Sequence, residues 1–208
     1  LRLVHRLDRD VGGLLMLARS RTAAGALAAA LAAHDGTVRK RYLAVLPVSD
    51  GVLRWIRRGE GDPGLQWPIA GRISSPLAGA AGDGDGIAPY HPRRDAAPSR
   101  PQRAESRYRY LGAWGGGEVS ALVKQHTDTR EHSGAGVAAL HRWLDDNPAP
   151  LALVEAEPIT GRKHQLRLHL PLLAHARRAD GTDSVELQRE RTAWALIGDR
   201  KYGAEGFE

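Results

Sequence analysis

The order of apolar and polar positions predicts a mixture of short strands and helices. Leu14 to Ala18, "LLMLA", is apolar throughout, has strand length, and lies between Gly12-Gly13 and Arg19-Ser20. It reads as a short strand bound for the core. An Ala-rich stretch from Arg21 to Ala33 follows, with Leu27 and Leu31 at helical spacing. Ser20 is placed to cap that helix, and His34-Asp35-Gly36 to stop it. Val38 to Val48, "VRKRYLAVLPV", reads as a strand with Lys40, Tyr42 and Ala44 on one face and Leu43 and Val45 on the other. Ser106 to Leu111 alternates as a strand, with Val119 to Val123 as its expected partner. Val137 to Leu144 reads as a helix and Leu151 to Ala156 as a strand, followed by a segment from Thr160 to Ala174.

Three stretches break the pattern. Ile73 to Gln102 is rich in Gly, Ala, Pro, Asp and Arg, and reads as a flexible insertion or hinge. Lys124 to Gly136 and Arg177 to Thr192 are polar. No regular βαβ rhythm and no internal repeat is present. The pattern therefore predicts an α+β fold, a mixed and mainly antiparallel sheet flanked by helices, in a single domain over 1–208. Within it, 1–72 forms a first half, 73–102 an insertion and 103–208 a second half.

Composition narrows the function classes. The 208 residues include 30 Lys and Arg against 24 Asp and Glu, a net charge of +6. That surplus favours a polyanionic partner. Cysteine is absent from the sequence, which excludes disulfides, cysteine zinc sites and thiol catalysis. It also fits a reducing, cytoplasmic setting, which is the expectation. No run of 18 apolar residues reads as a membrane span. Neither a GxGxxG turn nor a GxxxxGK loop is present, so nucleotide cofactors have no support.

Four pieces of sequence carry candidate chemistry: "HRLDRD" at His5 to Asp10, Tyr42 in "KRYLAV", "TGRKHQLRLHL" at Thr160 to Leu170, and "IGDRKYGA" at Ile197 to Ala204. Each has a plain structural reading too. Asp8 before two glycines is commonly a turn residue. Tyr42 is commonly a half-buried strand tyrosine. His164 and His169 lack i,i+4 spacing and an HExxH frame, so they read as satisfied histidines rather than metal ligands. Taken together, the pieces suit a carboxylate that must stay ionised in a partly closed pocket. Burial alone works against that, and a guanidinium brought from elsewhere in the fold restores it and orients the carboxylate.

The sequence resembles the RluA-type RNA pseudouridine synthases. "VHRLDRDVGGLLMLARS" is similar to that family's HRLD segment, which usually continues with Thr-Ser-Gly. "VRKRYLAVL" is similar to its K-x-Y-x-A-x-V strand, "RAESRYRYL" to its K-x-A-x-T-x-Y segment, "PITGRKHQLRLHL" to its TGR-x-HQ motif, and "IGDRKYGA" to its closing GD-x-x-YG. The resemblance implies isomerisation of uridine to pseudouridine in structured RNA, rRNA or tRNA, by a monomer needing no cofactor or metal. It implies Asp8 as the catalytic aspartate, Tyr42 as the tyrosine that packs on the flipped uracil and is placed for proton transfer, and Arg167 as the partner of the aspartate. Arg6 would enter the RNA stack. His5, Lys40, Arg162, His164 and Gln165 would bind RNA or the base.

The departures set further expectations. Val11-Gly12-Gly13 replaces Thr-Ser-Gly, so no hydroxyl caps the Asp8 loop. Pro171 should kink the helix after "RLHL". The family's strands and NKP-x-G segment before HRLD are not in this sequence, so the catalytic domain is expected to be incomplete at its N-terminus. The alternative reading is a catalytically silent relative that binds structured RNA.

Overall fold

A computed structural model describes residues 1–8, 11–33, 37–58, 69–79, 87–89, 100–127, 135–146, 149–173 and 196. Its centre is a four-stranded antiparallel sheet ordered β3-β8-β7-β4. The strands are β3 Tyr42–Pro47, β4 Ala70–Ser74, β7 Glu105–Trp114 and β8 Leu151–Pro158. The remaining strands form two small ribbons, β1 Arg2–Leu3 with β2 Leu17–Ala18, and β5 Leu77–Gly79 with β6 Ile87–Pro89. The helices are α1 Arg21–Ala33, α2 Asp50–Arg58, α3 Gly116–Thr127, α4 Ala135–Asp146 and the five-residue α5 Gln165–His169, which runs into a 3₁₀ turn at Leu170–Leu173. The α+β, antiparallel class is as the pattern predicted.

Strand alternation builds the core. Tyr42, Ala44 and Leu46 of β3 lie opposite Ala156, Val154 and Ala152 of β8. Those residues in turn face Tyr108, Tyr110 and Ala113 of β7. Apart from the partly exposed Tyr42 and Ala44, these positions are buried, and Val52, Leu170 and Leu173 pack over them. A bulge at Leu111 keeps the pattern in phase, since Tyr110 pairs with Val154 and Gly112 with Leu153. One unpaired residue moves the inward position from even to odd numbers, and so turns Ala113 inward. The opposite face of the sheet is charged, with Arg109–Glu155 at 3.1 Å and Arg39–Glu157 at 3.6 Å.

The helix starts follow local rules. Ala23 N–H donates to the Ser20 hydroxyl at 3.1 Å, and Val52 N–H to the Ser49 hydroxyl at 3.3 Å. Three expectations are overturned. Val119 to Val123 lies in α3 rather than in a strand, because Glu118 returns to accept from Gly115 N–H at 2.7 Å and starts a helix there. Of "LLMLA", Ala18 alone is buried, at 2% exposure. Only its last two residues form β2, pairing with β1 alone, and Leu14 is 91% exposed. The supposed loop from Ile73 contains strand residues, and Ile73, Leu77 and Ala78 are buried. Residues 80–86 and 90–99 of that insertion lie outside the described residues, as do "IGDRKYGA" and the polar stretch 177–192. Pro171 acts as a terminator: α5 ends at His169, and the proline sits in the 3₁₀ turn where its missing N–H is tolerated. Among the described residues, no helix is long and apolar enough to cross a membrane.

Candidate active site

Asp8 sits in the loop between β1 and β2, and two contacts shape that loop. Val11 N–H donates to the Asp8 carbonyl at 3.1 Å. Met16 N–H donates to His5 Nε2 at 2.9 Å, tying the loop's start to its end. Because Nε2 accepts, the neutral His5 ring carries its proton on Nδ1. Gly13 has φ of 143°, a region L side chains rarely adopt, so the second glycine is needed for the path itself.

Arg167 comes from α5, 159 positions further along. Its Nη1 lies 3.6 Å from Asp8 Oδ2, an ion pair slightly longer than a hydrogen bond. The guanidinium is mostly covered, at 14% side-chain exposure, while the carboxylate is 35% exposed. The pair is therefore open on the acid's side, where a ligand can reach it. Tyr42, at the head of β3, completes the group. Burial, and then the charge of Asp8, push its phenol above the ordinary value of 10.0. The ring is thus a neutral donor with an apolar face, set against an anion. Asp8, Tyr42 and Arg167 belong to a loop, a strand and a helix, and only the fold brings them together.

The chain enters α5 through a left-handed residue. His164, at the helix N-cap, has φ 55° and ψ 19°, a left-handed conformation. For a residue with a side chain this costs on the order of 1 kcal/mol. No side chain caps this helix, and its first hydrogen bonds run from Gln165 N–H to the Arg162 carbonyl and from Leu168 N–H to the His164 carbonyl.

Gln165 does not face a ligand, contrary to the sequence expectation. It is 3% exposed. Its Nε2 donates to the Glu105 carbonyl at 2.7 Å and to Ser106 Oγ at 2.9 Å. Its Oε1 accepts from the Thr160 hydroxyl at 2.6 Å and from Arg162 N–H at 3.1 Å. An amide with both ends engaged inside the protein has nothing left to offer RNA. His169, a candidate for neither role, is fully buried between Ser106 Oγ at 2.9 Å and the Ser75 carbonyl at 3.0 Å. Burial lowers its pKa, and the bond to Ser75 only partly offsets this. Among the described residues, no buried side-chain nitrogen or oxygen lacks a partner.

The other expected RNA-contacting residues divide. Arg6 is exposed and Lys40 partly so, just ahead of Tyr42. Arg162 is exposed, with Nε donating to the Arg103 carbonyl at 3.1 Å. His164 is partly buried and serves the turn. The Nε2 of His5 is occupied by the Asp8 loop. Sequence reasoning assigned no individual role to Ser106, Ser75 or Thr160, although Thr160 opens the "TGRKHQLRLHL" segment. A detectable signal was the Ser106 hydroxyl at an inward position, in step with Tyr108 and Tyr110.

Residues 1–171 match the RNA pseudouridylate synthase family, and the chain belongs to it. The match takes in the Asp8 loop, Tyr42 and Arg167. tRNA pseudouridine synthase C of Salmonella typhimurium is 31% identical over 199 residues, which cover 96% of this chain and 51% of that protein. The mitochondrial RNA pseudouridine synthase 4 of Arabidopsis thaliana is 29% identical over 214 residues, covering 97% of this chain and 31% of that protein. The chain thus spans about half the length of the Salmonella relative, and less of the plant one. The solved structure of human RNA pseudouridylate synthase domain containing 1 superposes with a TM-score of 0.58 at 19% identity, over 100% of this chain and 57% of that one. The fold is therefore that of the pseudouridylate synthase domain.

Proposed function

We propose that this chain converts uridine to pseudouridine in structured RNA, with Asp8 as the acting carboxylate. The observation that carries the reading is the Asp8–Arg167 pair, half-open to solvent and backed by Tyr42. The bond between uracil N1 and ribose C1′ breaks, and a bond between C5 and C1′ replaces it. N1 ends protonated and the C5 proton is lost, so the reaction balances with no outside reactant. Asp8 attacks C1′ or removes a ribose proton. In either case its carboxylate must be held in place, and the guanidinium does that. The target nucleotide has to leave its stack first, at a cost of a few kcal/mol, which phosphate contacts from basic residues such as Arg6, Lys40 and Arg162 offset.

Tyr42 acts as a neutral phenol. Burial and the charge of Asp8 keep it protonated at rest, and its part is to pack on the freed uracil, placed for proton transfer. A general base at the site takes the C5 proton. The relative named as a tRNA enzyme supports tRNA as the first RNA to try.

The test is tritium release from transfer RNA and ribosomal RNA transcripts labelled at uridine C5, using the full chain. Release by the parent and none by Asp8→Asn is expected. RNA binding without release by the parent would instead favour the silent-binder reading.

A further inference from the structure

α5 has five residues, too few to hold its own axis. Two hydrogen bonds onto one oxygen tie its first and last residues to β7. Gln165 Nε2 and His169 Nδ1 each lie 2.9 Å from Ser106 Oγ on β7. Gln165 and His169 are four positions apart and share a helix face. Arg167 lies midway in sequence, about 200° of helical rotation from either, and so projects from the opposite face. It is there that it meets Asp8.

We propose that Ser106 is a positioning residue whose single hydroxyl clamps both ends of α5 to the sheet and thereby aims Arg167 at Asp8. The proton directions require that hydroxyl. The Ser75 carbonyl only accepts, so His169 Nε2 carries the proton and donates to it. His169 Nδ1 is then bare and accepts from the Ser106 O–H. Ser106 Oγ in turn accepts from the Gln165 amide. A residue at 106 must both donate and accept from the same atom at 0% exposure, which leaves Thr as the natural substitute. Burial holds His169 neutral, as this arrangement needs. The Thr160 hydroxyl braces Gln165 from the other side at 2.6 Å.

The catalytic arm of the test rests on the pseudouridine synthase reading, and the spectroscopic arm does not. Ser106→Ala is expected to lower the single-turnover rate by about tenfold to a hundredfold, with RNA affinity held within about twofold. Ser106→Thr restores most of the rate. In an Arg167→Ala background, Ser106→Ala should cost less than about threefold more, because its effect is already spent. Independently, the Arg167 Nε–H signal in a ¹⁵N spectrum, sharp in the parent, broadens in Ser106→Ala and returns in Ser106→Thr.

If Ser106→Ala does not fold, Thr160→Val, nearly isosteric and in a partly exposed turn, should give the same pattern at smaller size. An unchanged Arg167 signal in the hydroxyl-less variants overturns the proposal. So does a loss that multiplies in full with Arg167→Ala, since Ser106 would then act on the fold at large. If the parent forms no pseudouridine, the functional reading fails while the Arg167 signal still decides the role of Ser106.

Discussion

Replacing Tyr110 by Phe removes one oxygen and keeps the shape of the ring. Tyr110 is 4% exposed, and its hydroxyl donates to the Leu173 carbonyl at 2.8 Å. The ring stands edge-on to Trp55 at 5.7 Å and to Tyr108 at 5.8 Å, and Phe preserves both contacts. The loss therefore isolates one buried hydrogen bond, worth about 1 kcal/mol net. Leu173 is 0% exposed, so its carbonyl is left dry, which adds about 1 kcal/mol. The sum, about 2 kcal/mol, corresponds to roughly 4–8 °C in a domain of this size.

Because Leu173 ends the turn that follows α5, the damage should be local as well as global. Amides from Leu168 to Leu170 are expected to exchange faster. Urea unfolding with an unchanged m value measures the global part. A midpoint shift equivalent to less than about 0.5 kcal/mol would refute the argument, because the hydroxyl would then have exchanged one good partner for another.

The buried imidazole gives a pH test. The folded-state pKa of His169 is lowered from 6.5, so below that value the unfolded chain binds a proton that the folded one refuses. Its contribution is complete above pH 6.5 and is lost as pH falls through the folded value, with a slope of at most about 1.4 kcal/mol per pH unit. Urea midpoints at pH 8 and pH 5 should diverge less in His169→Gln than in the parent. At the alkaline end the sign reverses: the Tyr108 phenol is pushed up to about 12, so stability present below pH 10 should fall as pH rises towards 12. Ser20→Ala should loosen α1 by about 1 kcal/mol, seen in amide exchange of that helix, which buries no residue, more than in global unfolding. Gly13→Ala has space for its methyl but not the backbone angle, so a loss of about 1–2 kcal/mol with a displaced Asp8 loop is expected, read by unfolding and by crystallography.

Local rules made much of this protein legible in its sequence. Ser20 with the alanines after it dictates α1, the alternation in "SRYRYL" dictates β7 with its tyrosines inward, and "RYLAVL" dictates a strand but not its inward face, since Leu43 and Val45 are apolar and exposed. Those readings needed only backbone periodicity and a cap. "VSALV" failed because five residues fit strand and helix alike, and the deciding contact, Glu118 onto Gly115 N–H, is a cap outside the run. "LLMLA" failed in most of its length because apolarity states a preference for burial, while the neighbours that grant it are set by the whole chain; here β1 and α1 lie beside β2 and cover Ala18, while Leu14 stays exposed. The motifs named Asp8, Tyr42 and Arg167, but their meeting is a tertiary event, since no local rule spans 159 positions. The case of Gln165 is clearest. Its sequence setting beside Arg162 and His164 suggests a ligand contact, yet the helix turns it onto Ser106 and Glu105 while Arg167 takes the opposite face. Sequence supplied the groups, and the angle of one short helix on the sheet decided which of them meet the acid and which hold it in place.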